Sequence, residues 1–175
     1  MRRPAIRRRL PVDHAYRVFM NAPPNSAGLK RSSLGLATAG ALTTAAALHG
    51  AWAAGSTFPV ADRTELAELV VGTSKFPSRD AAIAVAGLLS AAAGLVAIDS
   101  STQLSSNRVG RIVRLGTRTV ATTLVLRGVG GLLFEVLHLG TATEAFRKWN
   151  LRLYSPLCLL LGLGAGLVSR RPRRD

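Results

Sequence analysis

Apolar residues run along this chain in long uncharged stretches, not at every third or fourth position. A membrane span needs about 20 predominantly apolar residues, with a range of roughly 17–25. Four windows meet that length. Residues 33–54 carry no charge and one histidine, and residues 81–98 are charge-free up to Asp99. Residues 120–139 are apolar apart from Arg127, Glu135 and His138, and residues 151–168 carry Arg152 at their edge before a terminal arginine run. A water-soluble bundle would show a polar stripe along each helix, and the first two windows show none. They are rich in Ala and Gly, which let helices approach closely in lipid. Ala82, Ala86, Ser90 and Gly94 form one small-residue face, and Gly162 with Gly166 another, although so Ala- and Gly-rich a composition produces such spacings by itself. The pattern predicts an all-α, integral membrane four-helix bundle.

The connections differ in length and character. Residues 55–80 hold a short helix, started by Asp62 with Glu65 and stopped at Gly72. Its Leu66, Leu69 and Val70 share a face suited to the membrane surface. Residues 99–119 make a basic entry to the third window, and residues 140–150 a short loop.

Charge orients these elements. The chain has 23 basic and 9 acidic residues, a formal net charge of +14. Basic residues accumulate in cytoplasmic loops, and here they gather before the first window, between the second and third, and after the fourth. Both termini are therefore expected in the cytoplasm, with loops 55–80 and 140–150 facing out. The expected organisation is a basic, disordered arm over 1–31, a four-span domain over 32–169 and a basic tail over 170–175. Nucleic-acid binding would gather basic residues on one folded surface, whereas these flank apolar runs. They suit the bilayer and its anionic headgroups instead.

Two processing questions follow. Lys30, Arg31, the apolar stretch and Ala51-Trp52-Ala53 imitate a cleavable signal peptide, but the segment is long for one and contains His49, which favours retention. Residues 1–19 show no span, cap or stripe, so Met20 is a plausible functional start. The 20 arginines against 3 lysines suit a high-GC bacterial genome, hence an inner-membrane location.

Ionisable groups at membrane depth mark function or pairing. Taking each window's midpoint as the bilayer centre and about 1.5 Å per residue, His49, Glu135 and Tyr154 each lie about 8 Å toward the outside. Trp52 sits just above them, Arg127 near the centre, and His138 one turn beyond Glu135, three residues away and able to touch it. Arg127 and Glu135 are about 12 Å apart along the axis, too far for an easy pair. The candidate polar cluster is thus His49, Trp52, Arg127, Glu135, His138 and Tyr154, with the hydroxyl of Tyr154 expected to reach His138. Pro156 leaves the Arg152 carbonyl without its helical donor, opening the backbone nearby. The bland alternative is that these groups bond only each other and nearby carbonyls. Cys158 reads as a small core residue and, being alone, makes no disulfide. No HExxH, GxSxG, P-loop or dinucleotide fingerprint is present. No catalytic residue, metal or cofactor is expected.

The segments LHGAWAAGSTFP, LRGVGG and LYSPLCLLLGLGAG, in this order and spacing, resemble the bacterial membrane proteins of domain-of-unknown-function family 3995. The resemblance covers roughly residues 35–168. It implies a four-helix integral membrane protein that keeps its first span, and it implies no activity. Three functions stay open: binding or transport of a small ligand, ion or lipid; an accessory subunit or homo-oligomer docked through small-residue faces; and a membrane enzyme or redox protein, to which the sequence leans least.

Overall fold

The computed structural model describes residues 26–101, 108–138 and 140–170. Among them the chain is all-α, with helices α1 (Ser26–Ala53), α2 (Arg63–Val70), α3 (Arg79–Ser101), α4 (Arg108–Val136), α5 (Glu144–Trp149) and α6 (Ser155–Val168). A π-helical turn, Asn150–Tyr154, joins α5 to α6 without a break. Most of the expected arm, the Met20 start and the tail from residue 171 lie outside the described residues. Residues 26–31, expected in the disordered arm, instead form the first turns of α1.

The long helices pack as two pairs. α1 lies along α3 and α4 along α6, and further contacts of α1 with α6 and of α3 with α4 close the set. The shared core is mostly alanine, Ala39, Ala92, Ala93, Ala121 and Ala165, around the larger Leu42 and Val96. Large apolar side chains point away from it, with Leu88 71%, Ile112 67% and Leu160 67% exposed. Small groups inside and large ones outside is the distribution of helices packed in lipid, where burial from water does not drive association. Gly162 shows the closeness directly, since a Cβ there would stand 2.8 Å from Val125 Cγ2 and 2.9 Å from its backbone nitrogen. The expected face along α3 is corrected. Ala82 is buried, but Ser90 and Gly94 are exposed, and Ala92, Ala93 and Val96 make the packed face instead.

Among the described residues three helical segments are long and apolar enough to cross a membrane: α3, α4 and the continuous stretch Glu144–Val168. α1 has the length, at 28 residues, but Thr38, Thr43, Thr44, His49 and its many Ala and Gly dilute its hydropathy. The last segment begins earlier than the apolar window, inside the expected loop over 140–150. Thr143 is the reason, because its hydroxyl caps α5 by accepting from Phe146 N at 3.4 Å. α2 starts as its sequence predicts, with Asp62 Oδ1 accepting from the nitrogens of Thr64 and Glu65, both at 2.8 Å. It stops at Gly72, where φ is +80°.

At the end of the helices where α1 and α4 begin, Arg31 ties three of them together. Its Nε donates to Val168 O at 2.8 Å, and one Nη donates to Asp99 O at 3.0 Å and to Asp99 Oδ1 at 3.3 Å. A cation on the carbonyls that end α3 and α6 is placed where helix dipoles favour positive charge.

Candidate functional site

Of the six sequence candidates, His49 with Trp52 form one group and Glu135 centres a second, both at the opposite end, where α2 and α5 lie; Arg127, His138 and Tyr154 join neither. The first group is His49 with Trp52 on the last turns of α1. Their rings meet edge-on with centroids 4.8 Å apart. Trp52 is buried and held from two sides: its indole N–H donates to Phe58 O at 2.8 Å, and Arg63 donates to its carbonyl at 3.2 Å. The same Arg63 guanidinium lies 5.3 Å from the Phe76 ring centroid, and Phe76 packs edge-on to Trp52. This arrangement walls a half-open pocket of ≈ 220 Å³ lined by His49, Trp52, Phe76 and Val85, together with Val70, Val71, Pro77, Ala81 and Ala82. His49 Nδ1 lies 2.9 Å from Ala45 O. A carbonyl only accepts, so Nδ1 carries the proton, and in the neutral ring Nε2 is a bare acceptor. With the Trp52 N–H already engaged, Nε2 is, among the described residues, the one polar side-chain atom on the lining without a hydrogen bond.

The second group centres on Glu135, which is buried on α4. Its Oε2 accepts from Arg147 Nε at 3.0 Å and its Oε1 from Asn150 Nδ2 at 3.4 Å. The Asn150 amide also donates to Gly131 O at 3.1 Å, and its Oδ1 accepts from the Ser155 hydroxyl at 3.0 Å. An α-helix turns residues five apart to different sides, at 3.6 residues per turn. The π turn brings Asn150 and Ser155 together, with Ser155 N–H bonding Asn150 O. Pro156, the residue expected to disturb the backbone here, directly follows that bond. The result is a polar chain from the Arg147 rim inward to Ser155.

Arg127 stands beside this chain without joining it. A Cβ placed on Gly131 would lie 2.5 Å from Arg127 Nη1, 2.3 Å from Ser155 Oγ and 3.1 Å from Asn150 Oδ1, so a side chain there would press on the buried Ser155 hydroxyl and displace the guanidinium. Among the described residues Arg127 makes no hydrogen bond or ion pair, and its side chain is exposed. On insertion scales an arginine at a helix centre costs about 2.5–3.5 kcal/mol.

The remaining two candidates go elsewhere. His138 has left α4 in a left-handed conformation, φ +54°, and its Nδ1 meets Val136 O at 3.1 Å. It does not share a helix face with Glu135. The Tyr154 hydroxyl donates to Leu69 O at 3.4 Å, not to His138. That bond joins the Thr143 hydroxyl on Glu68 O and the Thr143 N–H on Gly72 O in stitching α2 to the last segment. Among the described residues no hydrogen bond or ring contact links the His49 group to the Glu135 group, and no three His, Cys, Asp or Glu converge as metal ligands.

Residues 42–165 match the family described as "Protein of unknown function (DUF3995)". This covers well over half of the chain. The chain belongs to that family. No curated protein and no solved structure gives a significant match. The DUF3995 match takes in both polar groups and leaves Arg31 outside. Within this DUF3995 chain the residues that sequence reasoning missed are Arg147, Asn150 and Phe76. Arg147 and Asn150 sat in an apparent loop, and their only signal was their spacing ahead of Pro156. Phe76 had none.

Proposed function

We propose that this is an inner-membrane protein of a bacterium whose α1, α3, α4 and final helical segment all span the bilayer, with both termini cytoplasmic. Its function on this reading is to bind or pass a small lipid-soluble ligand at the outer end, in the pocket beside His49 and Trp52. One observation carries the reading: a single unpaired acceptor, His49 Nε2, on an otherwise apolar lining. Such a lining suits a molecule with a flat apolar body and one O–H or N–H donor, because a few placed polar groups set orientation while the walls supply burial. The ligand reaches the half-open side from the lipid.

The test compares 1-naphthol with 1-methoxynaphthalene, binding the purified protein in lipid nanodiscs, read by quenching of tryptophan fluorescence. One hydrogen bond is worth about 0.5–1.5 kcal/mol, so naphthol should bind up to about tenfold more tightly than its ether. His49→Phe should erase the difference. Equal affinity for the two probes would refute the pocket reading. A second reading, an accessory subunit of a larger membrane complex, is favoured by Arg127, an exposed arginine with no ion pair within a span.

A further inference from the structure

We propose that Arg127 is the docking point for a transmembrane helix of a different protein, one bearing an Asp or Glu carboxylate at matching depth. This deepens the accessory-subunit reading and is independent of the pocket.

The depth argument comes first. Arg127 lies nine residues before the end of α4 at Val136, about 14 Å along the axis. Its guanidinium reaches one turn outward, to Gly131, and still stops about 8 Å short of that end. It does not reach a headgroup phosphate there. Nor do the described residues supply a counter-charge. Glu135 is committed to Arg147, and Asp99 to Arg31 at the opposite end of the helices. No other acidic residue of the sequence falls within α4 or the final helical segment past Glu144. Ser155 and Asn150, which share with Arg127 the space beside Gly131, satisfy each other and carry no charge. A second copy of the chain brings the same two carboxylates, Asp99 and Glu135, beyond the first turns of its spans, both already paired, so the missing carboxylate belongs to another molecule.

The surface around Arg127 suits a helix. Thr123 and Gly130 are exposed on the same side of α4, and a Cβ on Gly130 would meet nothing within 4 Å. Small groups there permit the backbone of a neighbour to come close. Leu126 and Phe134, 65% and 48% exposed, flank them as apolar contacts. A free fatty acid fits less well, because its carboxylate rests at the interface, above the guanidinium.

The experiment uses the full chain in lipid nanodiscs, labelled at its C-terminus, and a host transmembrane helix of Leu and Ala carrying Glu, Leu or Lys at its centre. Energy transfer reports association. The Glu helix should bind at least tenfold more tightly than the Leu helix, and Arg127→Leu should abolish that preference. Arg127→Glu should transfer the preference to the Lys helix. Thermal melting of Arg127→Leu should be unchanged or raised, because the guanidinium stabilises no contact within the chain. Four outcomes overturn the proposal: no preference for Glu, a preference that survives Arg127→Leu, displacement of the Glu helix by a few mole per cent of oleate, or self-association of the chain that depends on Arg127. Isolation from native membranes separates the two levels. A stoichiometric partner retained by Arg127→Leu would keep the accessory-subunit reading and refute this site.

Discussion

Glu135 and Arg147 share a 3.0 Å contact in which the carboxylate side chain is 4% exposed and the guanidinium side chain 40%. That asymmetry decides what each substitution does. Arg147→Ala strands a buried carboxylate with only the Asn150 amide for company, and a stranded buried charge is costly. Because the lost arginine was partly in contact with solvent, the expected destabilisation is toward the low end, about 2 kcal/mol. Glu135→Gln keeps an acceptor for Asn150 and leaves the arginine able to turn outward, so it should cost less. The double variant should be more stable than Arg147→Ala alone, since no orphan charge remains. Unfolding titrations of the three proteins in mixed micelles measure this, and a double variant less stable than Arg147→Ala would contradict it. On its own, Glu135 was legible in the sequence as an ionisable residue inside an apolar run. Its partner was not, because Arg147 looked like an outer-loop residue and nothing in the chain announced that Thr143 starts a helix. His138 was misleading for the opposite reason: the apolar run continues to residue 139, while the helix ends three residues earlier.

At the scale of elements, the helices were legible wherever charge was absent. α1 and α3 take in the uncharged windows and run beyond them, to Lys30 and Arg31 in α1 and to Arg79, Asp80 and Asp99 in α3, and α2 follows its capping residues. The last segment was half legible. Residues 151–168 read as a span, while Arg147 and Lys148 hide the turns before it. Which faces meet was not legible, since Ser90 and Gly94 are as small as the residues that do pack. The tie made by Arg31 lay beyond sequence reasoning as well, because it joins residues 68 and 137 positions apart. Arg31→Ala removes the cation from the ends of α3 and α6 and leaves buried Asp99, whose Oδ2 has no partner, without its only counter-charge among the described residues. Amide exchange should rise in the last turns of α3 and α6 and stay unchanged around Leu66 of α2, at the far end. Uniform exchange across both ends would show that Arg31 is not a local tie.

For the whole molecule, two ends of unlike character are joined by helices with small contacts inside and large apolar groups outside. One end gathers Lys30, Arg31, Arg108, Arg111, Arg114 and Arg118; the other carries α2, with Glu65 and Glu68, and the aromatic pocket. If four segments cross, reporter fusions placed after Asp175 and within loop 55–80 must lie on opposite sides of the membrane. The same side for both would mean that one of α3, α4 and the final segment does not span, and a third fusion ahead of α1, expected on the side of Asp175, tests α1 itself.

The wide turn over Asn150–Tyr154 has a consequence for how such a segment tolerates change. It acts as a phase shift between two rods, setting the α5 half to meet α2 and Glu135 while the α6 half keeps its own register against α4 and α1. The polar chain therefore depends on angular bookkeeping as much as on which residues are present. Straightening this stretch into an ordinary helix with all its residues kept would leave Asn150 and Ser155 five apart on different sides, and so swing them away from each other. Every polar group would then still be in the chain, with the line they form broken.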